Sequence, residues 1–128
     1  MYRNQMEKLI EWKDSKNRKP LIIRGARQVG KTWIMKEFGN KYYQNIAYIN
    51  FDRNTRMEQL FSGDMNIERI IQGLKLESNV NITANDTLII FDEVQEVPNA
   101  LTSLKYFYEN APEYNIIAAG SLHRYSNA

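Results

Sequence analysis

The run Gly25-Ala26-Arg27-Gln28-Val29-Gly30-Lys31-Thr32 constrains this chain more than any other stretch. It matches G-x-x-x-x-G-K-[ST] at each fixed position, the pattern of a loop that wraps phosphate groups. Gly25 and Gly30 let the backbone curl so that successive amides point into one hollow. Ala26, Arg27, Gln28 and Val29 complete the loop as candidate nucleotide-binding residues. Arg27 is open to two readings, a phosphate or partner contact and a solvent-facing loop residue. A helix opening at Lys31 would add the partial positive charge of its N-terminus. Lys31 is the candidate point charge for the β- and γ-phosphates, and Thr32 the candidate hydroxyl for Mg²⁺. Trp33 ends the candidate nucleotide-binding segment, and its ring is expected, with Phe38, to pack the helix onto a sheet.

The surrounding pattern is that of an α/β chain. Apolar residues at Tyr2, Met6, Leu9, Ile10 and Trp12 predict an N-terminal helix over residues 2–13. Leu21–Arg24 reads as a short strand feeding the phosphate loop. The helix after the loop is expected to run from Lys31 to Phe38 and to stop at Gly39-Asn40. Ile46–Phe51 reads as a second strand. Ile67, Ile70, Ile71 and Leu74 form an amphipathic stripe, with Asn66 placed to cap the helix. Thr87–Phe91 is a continuous apolar run, as in a strand buried on both faces. Pro98 opens a further helix whose expected apolar stripe is Val97, Leu101, Leu104 and Tyr108. Asn115–Ala119 is the fourth strand. Strands alternating with helices predict a parallel sheet covered on both faces, a three-layer core in a single domain spanning residues 1–128.

Asp92 and Glu93 stand at the end of the most apolar strand. In open parallel sheets ligands gather outside the carboxyl ends of the strands, so both carboxylates are expected in the crevice of the phosphate loop. Asp92 is the candidate magnesium residue, together with Thr32. Glu93 is the candidate group that orients or deprotonates an attacking water. A glutamate directly after the aspartate, with a strand inserted between loop and carboxylates, points to the hydrolytic ATPase branch of phosphate-loop proteins. No Asn-Lys-x-Asp tetrapeptide that reads guanine is present, which favours ATP over GTP. Ser121, at the tip of the fourth strand, is the candidate polar sensor of the γ-phosphate; its other reading is a serine in a turn. Asn50 either reaches the water site or starts a turn. His123 and Arg124 read as terminal, solvated side chains, with an arginine finger as the competing role of Arg124. Tyr106, Phe107 and Tyr108 read as core and rim.

Bulk properties narrow the classes further. The 43% hydrophobic and 25% charged composition is that of a globular chain, and 128 residues can bury a core without staples. With no cysteine, thiolate metal sites, disulfides and cysteine nucleophiles are excluded, in keeping with a cytoplasmic protein. No apolar run is long enough to span a bilayer. A net charge of +2 gives no independent sign of a nucleic-acid or membrane partner.

The stretches Lys19–Thr32, Tyr48–Phe51, Leu88–Gln95 and Ala118–Leu122 together resemble a group of bacterial and archaeal AAA-superfamily predicted ATPases. The resemblance covers residues 2 to 122 and implies the strand order 5-1-4-3-2. It implies ATP and Mg²⁺ as ligands, with Gly30, Lys31 and Thr32 on phosphate and cation. It further implies Asp92 and Glu93 as the Walker B pair and Ser121 at the sensor position. Family members carry a C-terminal domain with a restriction-nuclease flavour, and a DNA-linked role is implied by that analogy alone. They also continue after Gly120-Ser121-Leu122 with leucine and glycine, whereas this chain reads His123-Arg124-Tyr125-Ser126-Asn127-Ala128. The expectation is an N-terminal part of the family fold, truncated before strand five, with self-association along the exposed strand edge. Three functions remain in play: ATP hydrolysis, nucleotide binding without useful hydrolysis, and transfer of the γ-phosphate to a small acceptor. The last calls for an arginine-bearing lid, and no such segment is evident.

Overall fold

The apolar runs become four parallel strands in the order β1-β4-β3-β2, in a computed structural model that describes residues 2–24 and 30–121. The elements are α1 (Tyr2–Asp14), β1 (Leu21–Arg24), α2 (Lys31–Tyr42), β2 (Asn45–Asn50), α3 (Thr55–Leu60), α4 (Ile67–Ser78), β3 (Thr87–Asp92), α5 (Pro98–Asn110) and β4 (Asn115–Gly120). A single 3₁₀ turn, Val94–Glu96, joins β3 to α5. The observed order is the 1-4-3-2 portion of the expected one. Among the described residues β1 has one neighbour, β4, which makes it the edge strand anticipated from the sequence.

Strand periodicity divides the core in two. Leu88 and Ile90 of β3 join Ile117 and Ala119 of β4 on the face covered by Met6 and Leu9 of α1 and Ile34, Met35 and Phe38 of α2. Ile89 and Phe91 point the other way, into a cluster with Ile70, Ile71 and Leu74 of α4 and Leu104 and Phe107 of α5. Every residue of β3 and β4 is buried, the consequence of a strand covered on both faces. Burying one such large aliphatic or aromatic side chain contributes roughly 1.5–3 kcal/mol relative to leaving it in water. Phe51, Phe61 and Phe91 meet edge to face, with centroids 5.1–5.9 Å apart, and lock β2, β3 and the end of α3 together.

Three expectations need correction. Helix α2 does not stop at Gly39-Asn40 but runs to Tyr42, with Tyr43 as its cap. Gly39 is buried in mid-helix because a Cβ there would lie 2.6 Å from Ile46 Cγ1 and 3.1 Å from Leu88 Cδ2; its smallness seats the helix on the sheet. The stripe of α5 is Ala100, Ser103, Leu104 and Phe107, whereas Leu101 is half-buried and Tyr108 is exposed. Hydrophobicity alone misreads that face, since two small residues bring the helix close and the Ser103 hydroxyl is satisfied by Ala100 O at 2.6 Å. Trp33 does not pack α2 onto the sheet: it is 56% exposed, on the face away from Ile34, Met35 and Phe38. Helix α3 has no stripe to announce it. It is a single short segment capped by Asn54, whose side chain accepts from Met57 N.

Candidate functional site

Asp92 ends β3, and its burial creates a demand for hydrogen-bond donors that the neighbouring elements meet. It is 5% exposed, and a buried carboxylate is tolerated only with partners. Thr32 Oγ1 donates to Asp92 Oδ2 at 2.7 Å, and Tyr48 OH donates to the same oxygen at 2.6 Å. The backbone N–H of Glu93 donates to Oδ1 at 3.0 Å. Three elements therefore converge on one carboxylate.

Periodicity explains the convergence. Asp92 shares a face of β3 with Leu88 and Ile90, the face covered by α2, so its side chain points toward the first turn of that helix. Thr32 is the second residue of α2. Tyr48 lies on the same face of β2, opposite Ile90 in the ladder, and its long ring reaches two rungs further to Asp92. Lys36, one helical turn after Thr32, sets its ammonium 4.1 Å from the centre of the Tyr48 ring. Burial pushes the Tyr48 phenol well above its ordinary pKa, and the hydrogen bond to Asp92 adds to the rise. Tyr48 is thus a neutral donor at physiological pH.

Gly30 precedes α2 with φ 113°, in the left-handed region, and its carbonyl accepts from Ile34 N at 2.9 Å. Lys31 opens the helix beside Thr32, and both are half-buried. Glu93 leaves the ladder at φ 54°, which turns it out of the strand. Gln95 Nε2 then donates to Glu93 Oε1 at 2.7 Å. Gln95 is itself buried, wedged against Gly120 at the end of β4. Ser121 follows directly on β4, which pairs with β3 through Ala119 opposite Asp92.

Thr32, Asp92 and Glu93 are therefore joined directly, Lys31 adjoins Thr32 along the chain, and Ser121 follows the neighbouring strand at the same end of the sheet. Gly25, Ala26, Arg27, Gln28 and Val29 lie outside the described residues, as do His123 and Arg124. Asn50 takes the turn role: its Oδ1 accepts from Asp52 N at 2.9 Å. Tyr48 and Gln95 are the participants that sequence reasoning missed. Gln95 is signalled only by its place two residues after Glu93. Tyr48 carries no local signal, because its role depends on the register between β2 and β3.

Residues 17–127 match the family described as AAA domain. The chain belongs to the AAA-domain family. No curated protein matches its sequence. Family membership makes the chain a nucleotide-binding module of AAA type, built on a four-stranded parallel sheet. Among the described residues of this AAA domain no helix is long and apolar enough to cross a membrane. No group of three or more histidines and carboxylates forms a ready-made metal cage among them either.

Proposed function

We propose that this AAA domain binds ATP with Mg²⁺ and hydrolyses it. The observation that carries the reading is the 2.7 Å hydrogen bond from Thr32 to Asp92, between residues 60 apart in sequence. Its direction suits a cation: Thr32 gives its proton to the carboxylate, and a hydroxyl that donates still has lone pairs to offer an ion. Asp92 Oδ1 accepts only one bond among the described residues, from Glu93 N, and so retains capacity for a water on the ion. Mg²⁺ is commonly held by one or two carboxylate or hydroxyl groups plus phosphate oxygens, so the donor set fits it without a cage. When bound, the ion would offset the charge that develops on the transferring phosphoryl group.

The chain's own residues supply the rest. The first amides of α2 and the Lys31 ammonium would hold phosphate oxygens. Glu93, turned out of the strand beside Asp92, would accept the proton of the attacking water, with Gln95 fixing the orientation of its carboxylate. Ser121 would supply a polar contact near the γ-phosphate. Nucleotide titration calorimetry and a phosphate-release assay test the scheme together. Lys31→Ala should abolish nucleotide binding. Glu93→Gln should bind like the parent and release no phosphate. Release by Glu93→Gln at the parental rate would remove Glu93 from the water-activating role. Stoichiometric binding by the parent with no release would leave a nucleotide-binding module without hydrolysis.

A further inference from the structure

Tyr48 has no part in the scheme above, yet it makes the shortest contact to the buried carboxylate, 2.6 Å to Asp92 Oδ2. That oxygen also accepts from Thr32 at 2.7 Å, so both of its lone-pair directions are taken. The remaining capacity of Asp92 lies on Oδ1, beside the Glu93 amide. The carboxylate is thereby fixed in its plane from two sides, by a helix side chain and by a side chain of the neighbouring strand. The ring that delivers the hydroxyl is itself held: it packs with Ile46 against the α2-side core, and the Lys36 ammonium lies over its face.

We propose that Tyr48 is a positioning residue for the divalent cation, its hydroxyl holding the Asp92 carboxylate so that Oδ1 faces the water of a bound Mg²⁺. This rests on the Mg²⁺–nucleotide reading above. Partners that orient a metal-binding group from behind are worth about 10- to 100-fold in metal affinity. Without Tyr48, Oδ2 is held by Thr32 alone, and Oδ1 only by the adjoining Glu93 amide at 3.0 Å. Tyr48 adds a second bond to Oδ2, and its hydroxyl donates to the carboxylate rather than to a phosphate-binding group. Its effect therefore falls on the metal-dependent part of nucleotide affinity and spares the metal-free part.

The experiment measures the affinity of a fluorescent ADP for the chain across a Mg²⁺ titration and in excess EDTA, with thermal melting as a check on folding. Tyr48→Phe keeps the ring and removes the hydroxyl. It should leave the EDTA affinity within about twofold of the parent and raise the Mg²⁺ midpoint about tenfold or more. Tyr48→Leu, which removes the ring as well, should shift the midpoint to the same extent. An unchanged midpoint in Tyr48→Phe would overturn the proposal, as would a shift in Tyr48→Leu alone, which would mark the ring as packing. A parallel fall of EDTA and Mg²⁺ affinities would overturn it too. Asp92→Asn separates the two levels. If it leaves the parental Mg²⁺ midpoint unchanged, or if the parent gains no affinity from Mg²⁺, the cation reading itself fails and Tyr48's assignment falls with it.

Discussion

Gln95 has a buried amide whose two ends are treated differently. Its Nε2 donates to Glu93 Oε1 at 2.7 Å, while its Oε1 is buried with no partner among the described residues. An unmade bond at a buried acceptor costs about 1–3 kcal/mol, so the side chain occupies this place against its own interest. Gly120 makes the place available: a Cβ there would collide with Gln95 Oε1 and sit 3.3 Å from Val94 N. Gly120→Ala should expel the amide, lower stability by about 1–3 kcal/mol in urea unfolding, and slow phosphate release while nucleotide affinity holds. Full release by that variant would show that Glu93 needs no support from Gln95. The same residues set the limit of what sequence could tell about the site. Thr32, Asp92 and Glu93 sit in patterns whose spacing is local, and each could be read directly. Tyr48 and Gln95 act across a strand pair and across a strand tip, where only the tertiary register brings the atoms together.

At the scale of elements, helix α2 illustrates how packing overrides local propensity. A glycine inside a helix costs about 1 kcal/mol relative to alanine, and Gly39 followed by Asn40 reads as a stop. The helix nonetheless continues for three residues beyond Gly39, to Tyr42, because Ile46 and Leu88 leave no room for a side chain at that point. Gly39→Ala sets the two effects against each other. The gain in propensity is about 1 kcal/mol, and overpacking against a strand residue costs about 1–3 kcal/mol, so the substitution should destabilise the fold. A urea midpoint at or above the parental one would refute the close approach. Elements with a strong signal were legible: the stripe Ile67, Ile70, Ile71, Leu74 and its Asn66 cap appear as α4, with Asn66 Oδ1 accepting from Arg69 N at 2.9 Å. Helix α5 was legible in position but not in rotation, because Ala100 and Ser103 form its buried face and neither ranks as strongly apolar. Helix α3 was not legible, since six residues leave too little length for a period to emerge.

At the scale of the whole molecule, tyrosines tie the layers together and make stability depend on alkaline pH. Tyr43, just past α2, donates to Asn115 Oδ1 at the start of β4 at 2.7 Å, a buried bond at the end of the sheet opposite the site. Burial raises the pKa of Tyr43, although the nearby Arg18 charge opposes the shift. Burial likewise raises Tyr48, with Asp92 contributing, and Tyr114. In the unfolded chain these phenols ionise near their ordinary value of about 10. Above that pH the unfolded state holds fewer protons than the folded one, so stability falls as pH rises. The contribution is fully present at neutral pH and is lost progressively once pH passes about 10. Urea midpoints at pH 8 and pH 10.5 should show the decline, and Tyr43→Phe should reduce it. A flat profile would mean that the three phenols ionise equally in both states.

The peptide bond between Asp92 and Glu93 has a consequence of its own. Asp92 is the last rung of β3, paired with Asn50 on one side and Ala119 on the other, and its carbonyl accepts from Phe51 N at 2.9 Å. Its amide and carboxylate are therefore carried by a strand buried along its whole length, the kind of element that opens last. Glu93, at φ 54°, has left that ladder: its amide donates to Asp92 Oδ1, its carbonyl accepts from Glu96 N, and its side chain accepts from Gln95. The frontier between the immobile frame and the adjustable part of the molecule passes between two adjacent acidic residues. One is built into the ladder, and the side chain of the other lies outside it, where a change of rotamer breaks no rung.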